Sequence, residues 1–337
     1  MSETLKIAIP MAGLGTRLRP LTWSRPKPLV ALAGRTVLDY ILDMFKTVPD
    51  PDHVEFVFIL GQRGELIQEH MERTYPNVKV SYVVQKEMRG QSDALYLARE
   101  YLHGPMIMAF ADTLIETDFS FLKNETSDGV AWVKPMPDPR RFGVAELDMN
   151  GWISRLIEKP QDISNNLVVV GFYYFKEGEA LVGAIEEQMR RGITLKGEYF
   201  LADALNILIE KGAKLRTHNV STWLDAGTPD ALLETNRHLL EHGQANTERM
   251  SACCKDTLII PPVYIDPTAE VSRSIIGPHV SLSAGCQIHE SVLSNSIVDE
   301  CAQVTSSVLT NSILGSNVTV SGQAVQLNLG DNSWAMR

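Results

Sequence analysis

Residues 10–28 read PMAGLGTRLRPLTWSRPKP, and the way they follow the apolar run LKIAIPM (5–11) decides the fold. A short buried strand delivers the chain into Ala12-Gly13-Leu14-Gly15-Thr16. The two glycines there permit tight turns and let a ligand approach the backbone. Successive backbone N–H groups in such a loop can hold phosphate oxygens. Arg17 follows at once, then Arg19, Arg25 and Lys27, four cations within eleven residues. An arginine fork suits a terminal phosphate, and a lysine supplies a point charge. Neither common phosphate loop fits. The dinucleotide-binding pattern needs a third glycine where Leu18 stands, and the P-loop ending Gly-Lys-Ser/Thr is nowhere in the chain.

The local charge matters because the whole chain is acidic. Its 337 residues carry 31 Lys and Arg against 41 Asp and Glu, a net charge of -10. That balance argues against nucleic acid or an anionic membrane as partner. The opening MSETLKIAIP places an acidic residue before a very short apolar run, unlike a signal peptide. No stretch approaches the roughly 18 apolar residues of a membrane span. We therefore expect a cytoplasmic protein. Cys253, Cys254, Cys286 and Cys301 show no CxxC or zinc-finger spacing, so reduced thiols are expected rather than a metal cluster.

Working outward, residues 36–47 show helical spacing, Val54–Leu60 reads as a strand, and an amphipathic helix runs on to about Thr74. Residues 78–84 alternate like a strand, Ser92–Leu102 reads as a helix, and MIMAFAD (106–112) is a buried strand ending on a carboxylate. This alternation predicts an α/β fold, a Rossmann-like mixed, mostly parallel sheet with helices on both faces. GVAWVKPM, FGVAELD, WISRLIEKP and LVVVGFYYF, between 129 and 175, read as strands and are expected to form an antiparallel insert over the sheet. Helical patterns return at 177–191, 199–211 and 229–242, with a strand at 214–224.

Beyond 257 an aliphatic residue recurs every six positions. Ile276, Leu282 and Ile288 show it, as do Val298 with Val304 and Leu314 with Val320, with steps of ten between the groups. A six-residue period builds a left-handed parallel β-helix, three short strands to a coil with the aliphatic side chain inward. The polar, aperiodic run between separates two expected domains, 1–243 and 257–337.

The string GxGTRLRPLT followed by PKPL resembles the opening of the sugar-nucleotide pyrophosphorylases, the sugar-1-phosphate nucleotidyltransferases. Glucose-1-phosphate thymidylyl- and uridylyltransferases of the long form, with a β-helix tail, are similar along nearly the whole chain. Gln85 with GQSDA (90–94) resembles the family's base-reading segment. FAD ending at Asp112 resembles a strand-end metal carboxylate, and WLDAGT with Asp225 resembles the second. FGVAELD with Gly143, IEKP with Glu158 and Lys159, and VGFYYF with Gly171 resemble the sugar-phosphate site. The chain departs from these enzymes at Gln91-Ser92, where they show Leu-Ala or Thr-Ala.

The resemblance implies a GT-A-like catalytic domain that joins a nucleoside triphosphate to a sugar-1-phosphate and releases pyrophosphate. It places Ala12, Gly13, Gly15, Thr16, Gln85 and Gly90 on the nucleotide. Arg17 would hold the leaving pyrophosphate, Lys27 the α-phosphate and Lys159 the sugar's phosphate, and these three form the catalytic set. Gly143, Glu158, Lys159 and Gly171 would hold the sugar-phosphate, with Glu158 accepting from sugar hydroxyls. Mg2+ would sit on Asp112 and Asp225. A sugar-1-phosphate is already an anion, so the protein's task is to neutralise and align two negative reactants for in-line displacement at the α-phosphorus.

A glutamine at position 85 can pair with a pyrimidine's imide edge, which favours dTTP or UTP, with glucose-1-phosphate as the sugar. The alternatives are a mannose-1-phosphate guanylyltransferase and a non-catalytic regulatory subunit of the same fold. The presence of Gly13, Gly15, Arg17, Lys27, Asp112 and Asp225 argues against the latter. Taken singly, Asp112 also reads as a solvated strand end, Asp225 as an N-cap for the helix near Thr228, and Lys159 as a surface turn residue. β-Helices occur in acyltransferases too, with His279 or His289 as a candidate base. A tail of some four coils is instead expected to mediate oligomer contacts, giving a homo-oligomer, or to position an allosteric ligand.

Overall fold

The computed structural model describes residues 4–250, 254–322 and 326–336. Two compact units result. One is built from Met1–Gly13 and Ile41–Trp223, the other from Leu14–Tyr40 and Leu224–Arg337.

The chain enters as β1 (Leu5–Met11) and later makes a small hairpin, β2 (Ala31–Leu32) and β3 (Arg35–Thr36), before α1 (Val37–Met44). The expected alternation follows as β4 (Val54–Leu60), α2 (Gly64–Thr74), β5 (Val80–Val84), α3 (Gln91–Leu97) and β6 (Met106–Ala109). Next come β7 (Thr113–Ile115), β8 (Gly129–Pro135), β9 (Gly143–Leu147), β10 (Ile153–Glu158) and β11 (Leu167–Phe175). After α4 (Gly178–Arg191) and α5 (Leu201–Glu210), the strand expected at 214–224 is two pieces, β12 (Leu215–Asn219) and β13 (Trp223–Asp225). Helix α6 (Pro229–Leu239) ends in a π turn through Gly243, whose φ is +100°.

In the first unit, nine strands form one sheet with the central order β10-β9-β11-β6-β1-β4-β5. β1 lies between β4 and β6 and is parallel to both. Ile7, Ala8 and Ile9 are fully buried, as a strand covered on both faces requires. The antiparallel strands do not lie over this sheet as expected; they extend it. The nine residues of β11 are apolar throughout, and Phe172–Phe175 pair directly with β6. The same strand pairs β8, with its register broken between Val169 and Tyr173. A two-sided apolar strand has no solvent face to present, so it is built into the sheet.

Glu55 is a buried charge of this unit. It sits at 2.6 Å from Lys6 Nζ and 2.8 Å from Lys79 Nζ, and Ser81 donates to it at 2.7 Å. Burial alone would raise its pKa, but the bonds from Lys6, Lys79 and Ser81 outweigh that and hold it at about 2. Because the folded value lies below the unfolded one, the stabilisation is present above pH 4.5 and is lost as pH falls toward 2. The gap corresponds to about 3 kcal/mol at neutral pH. Glu55→Gln is therefore expected to lower stability at pH 7 and to flatten the acid limb of a denaturation series. An unchanged acid limb would refute this role.

In the second unit, the strands after residue 257 stack in register into three parallel columns, which makes a parallel β-helix. One inward row runs Val271, Ile288, Val304, Val320. The others hold Ile276, Leu293, Leu309 and Leu282, Val298, Leu314. Leu293 and Leu309 resolve the steps of ten seen in the sequence. Each is two steps of five, two sides of the coil each being a residue short. On the outside, Leu258, Ile275, Val292 and Val308 form a column, and all but Ile275 are well exposed. Among the described cysteines, Cys286 and Cys301 are free thiols, and Cys253 lies outside the described residues.

Candidate active site

In the first unit, β1 and β6 run side by side and end together. β1 delivers Ala12 and Gly13, and β6 leads through Phe110 and Ala111 to Asp112. The sheet leaves β1 toward β6 on one side and β4 on the other, so this is the switch point where open α/β sheets bind ligands. Ala12 is packed from beneath, since a Cβ on Gly61 would lie 2.4 Å from its carbonyl oxygen. Gly13 differs. A Cβ built there would meet nothing within 4 Å, and its φ is not in the left-handed region. No protein atom demands this glycine, and its outer side is open.

Next to this lies a bracket formed by residues 85–93 and Tyr199. Gly90 has φ +103°, and a Cβ there would strike the Tyr199 carbonyl oxygen at 2.4 Å. Tyr199 N–H donates to Arg89 O at 2.8 Å, and Ser92 N–H to Tyr199 O at 3.1 Å. Gln85 is 4 % exposed, and its amide N–H groups donate to Asp93 at 2.9 Å and to Gly90 O at 3.2 Å. Both donors are therefore taken by the protein. This corrects the expected two-bond pairing of Gln85 with an imide, since only its acceptor oxygen remains for a base.

The third part gathers Gly143, Glu158, Lys159 and Gly171. Gly143 is opposite Glu158 in the β9–β10 pair, and a Cβ there would come within 3.3 Å of Glu158 Oε2. Lys159 has a left-handed backbone (φ +51°), fixed by its N–H donating to Phe142 O at 2.9 Å. Its ammonium is 3.7 Å from Glu158 and 4.7 Å from the centre of the Phe200 ring. Burial pushes the Glu158 carboxyl up, Lys159 opposes this, and Asp203 adds to it. Gly171, at φ +87°, leaves room for Phe110, and a Cβ would fall 2.2 Å from that ring.

Tyr199, Phe200 and Asp203 thus brace Gly90, underlie Lys159 and face Glu158. Sequence reasoning read 199–211 only as a helical pattern. The polar and aromatic residues at its first turn were the available signal.

The second unit carries the remaining candidates. The loop after Gly13 has three single 3-10 turns: Thr16–Leu18, Leu21–Trp23 and Lys27–Leu29. Gly15 has φ +59°. Its carbonyl accepts from Thr22 Oγ1 at 2.8 Å, and a Cβ would lie 3.4 Å from that of Lys27. Gly15, Thr22 and Lys27 therefore close one compact loop, on which Thr16 and Arg17 are exposed. Arg25 departs from the expected four-cation cluster. It is bound to Asp299 at 2.6 Å and faces Asp331 at 3.4 Å, both on the β-helix. Asp225 ends β13, and its Oδ1 accepts from Gly227 N–H at 2.7 Å. It does not cap α6, because Thr228 is the N-cap, with Oγ1 accepting from Ala231 N–H.

The two histidines weighed as acyl-transfer bases have structural partners. His279 Nε2 is 2.8 Å from Glu241, and His289 Nδ1 is 2.8 Å from Ser272 Oγ, with Arg273 donating to its Nε2.

The family model described as nucleotidyl transferase matches residues 8–242. The chain belongs to the nucleotidyl transferase family. It is 28% identical to a glucose-1-phosphate thymidylyltransferase of Streptomyces griseus, over 98% of this chain and 99% of that protein. It is also 28% identical to the UTP–glucose-1-phosphate uridylyltransferase AglF of Haloferax volcanii, over 70% of this chain and 97% of the other. A solved UDP-glucose pyrophosphorylase has the same fold, with a TM-score of 0.61 at 19% identity over 72% of this chain and all of that one. This nucleotidyltransferase has, among its described residues, no helix long and apolar enough to cross a membrane.

Proposed function

We propose that this nucleotidyltransferase joins a nucleoside triphosphate to a sugar-1-phosphate, giving a nucleotide-sugar and pyrophosphate. The observation that carries the reading is the placement of open-sided Gly13 and of Asp112 at the ends of adjacent parallel strands at the sheet's switch point. Arg17 binds the pyrophosphate that leaves, and Lys27 the α-phosphate. Lys159, held over Phe200, takes the phosphate of the sugar, and Glu158 accepts from its hydroxyls. Ala12, Gly13, Gly15 and Thr16 offer backbone N–H groups to the triphosphate, and Gln85 and Gly90 line the base. The two thymidylyl and uridylyl relatives favour dTTP or UTP with glucose-1-phosphate.

Asp112 and Asp225 are hard oxygen donors, and no described group of three or more His, Cys, Asp or Glu forms a metal cage. So sparse a donor set fits Mg2+, which keeps waters and takes substrate phosphates as its other ligands. When bound, it neutralises charge on the phosphates. We further take residues 1–243 as the catalytic domain and 257–337 as the β-helix domain of a cytoplasmic homo-oligomer that binds no nucleic acid or membrane. The outward column of Leu258, Val292 and Val308 supports contact between copies.

Lys159→Ala is expected to reduce kcat/KM for the sugar-1-phosphate by about ten- to a hundredfold, the loss of one charged hydrogen bond, with little change in KM for the triphosphate. Steady-state kinetics with each substrate varied in turn reads this. A change confined to the triphosphate would reverse the assignment. Protein mixed with α-labelled triphosphate alone is expected to carry no covalent label; a nucleotidylated protein would defeat direct in-line transfer.

A further inference from the structure

The geometry points to the β-helix as a working part of the triphosphate site: Arg25, Asp299 and Asp331 form a clamp that positions the loop bearing Gly15, Arg17 and Lys27. The inference rests on the reading of that loop as the triphosphate site.

The loop has little structure of its own. Its three 3-10 turns are held by only one or two backbone bonds each, such as Leu18 N–H to Gly15 O at 2.9 Å and Val30 N–H to Lys27 O at 3.0 Å. Short 3-10 turns are weak elements, and a loop that must align phosphates needs support from elsewhere. The support comes from one corner of the β-helix. Val298, Leu314 and Leu329 stack in register on successive coils. The residues that follow them are Asp299, Gly315 and Gly330. Two side-chain-free corners open a notch. Pro20 fills it at Gly330, where a Cβ would come within 2.9 Å. Asp331 Oδ1, 2.4 Å from where a Cβ of Gly315 would stand, accepts from Ser316 N–H at 2.8 Å.

Arg25 reaches into this notch. It binds Asp299 at 2.6 Å, faces Asp331 at 3.4 Å and donates to Ser316 Oγ, while Ser24 Oγ donates to Asp331. The side chains are well enclosed, Arg25 being 21 % exposed and both aspartates 10 %. The cavity left at the seam is about 10 Å³, at the lower limit for a single water. Charged hydrogen bonds so enclosed are worth more than surface ion pairs. Burial also pushes the Asp299 carboxyl up, and Arg25 opposes this.

A second tie holds the far end of the same segment. Ala33 N–H donates to Asn236 Oδ1 at 2.9 Å, and Ser281 Oγ to the same oxygen at 2.7 Å. Tyr264 lies flat against Gly34, where a Cβ would be 2.2 Å from the ring. With both ends fixed, the clamp two residues before Lys27 sets the place of that ammonium. Through Thr22 and Gly15 it also sets the backbone that leads into Arg17. Arg25, Asp299 and Asp331 are thus positioning residues, acting through the loop.

The test compares unaltered full-length enzyme with Arg25→Met, Arg25→Lys and Asp331→Asn. In Asp331→Asn and Arg25→Met, KM for the triphosphate is expected to rise by about tenfold or more, while KM for the sugar-1-phosphate stays within about twofold. Arg25→Lys recovers part of the loss, because it keeps the charge but not the fork. Hydrogen exchange, which needs no substrate, is expected to speed up by about tenfold at the amides of residues 15–30 and to stay unchanged in the coils between 275 and 314. Unchanged loop exchange in both Arg25→Met and Asp331→Asn would overturn the clamp, as would an equal rise of both KM values. Faster loop exchange in a protein that catalyses no transfer would keep the clamp and sink only the reading of the reaction.

Discussion

Asp112→Asn is expected to lower kcat by about a hundredfold or more in the presence of magnesium, and Asp225→Asn to do the same. Each change keeps the shape of the side chain and removes one of the two carboxylates proposed for the cation. A bound metal contributes several kcal/mol of charge stabilisation in transfers between anions, and about 3 kcal/mol corresponds to a hundredfold. The fold is expected to survive both changes. Asp112 stands in a turn beyond β6 and Asp225 at the end of β13, and both are only half-buried. A higher magnesium concentration is expected to recover part of the rate, because the metal's affinity falls along with its effect. Initial rates of pyrophosphate release at two magnesium concentrations, together with a melting curve, check this. Full activity in either variant would remove that residue from the metal site.

Two glycines of the same region are expected to respond in opposite ways. Gly13→Ala places a methyl where no protein atom lies within 4 Å, at a φ open to alanine, so the melting temperature is expected to stay put. The triphosphate reaction is expected to suffer, with kcat/KM down about tenfold or more as the methyl occupies the approach to the backbone N–H groups. Gly90→Ala combines a φ of +103° with a Cβ 2.4 Å from the Tyr199 carbonyl oxygen. Backbone strain and overpacking together cost about 3 kcal/mol or more. For a domain of this size that is a fall of about 6–12 °C in melting temperature. Calorimetry and kinetics on both variants decide the matter. A destabilised but active Gly13→Ala would contradict the account of this site, and so would a Gly90→Ala of native stability.

Much of this was legible in the sequence because it rests on local rules. The βα alternation and the six-residue period each follow from a repeat in the chain, whereas the strand expected over 106–112 stops at Ala109 and leaves Asp112 in the turn beyond it. What was not legible depends on contacts distant in sequence. The strands from 129 to 175 join the sheet rather than cover it, because β11 offers β6 a bondable apolar edge, and sequence texture does not say which neighbour a strand chooses. Gln85 was read as a base reader by its type, yet its donors are spent on Gly90 and Asp93. Arg25 was counted among the phosphate-binding cations because it is close to them along the chain, although its partners lie some 270 to 300 residues on. Asp203 and Phe200 were hidden because a helix's first turn reads as amphipathic packing whether or not it borders a site.

The joining of a nucleoside triphosphate to a sugar-1-phosphate can be followed directly. Purified protein is mixed with magnesium, with dTTP, UTP, GTP, ATP or CTP, and with glucose-1-phosphate, mannose-1-phosphate or another sugar-1-phosphate, and pyrophosphate is followed. The proposed reaction requires both substrates and the metal for release, fastest with dTTP or UTP and glucose-1-phosphate. No release from folded protein with any pair would contradict it.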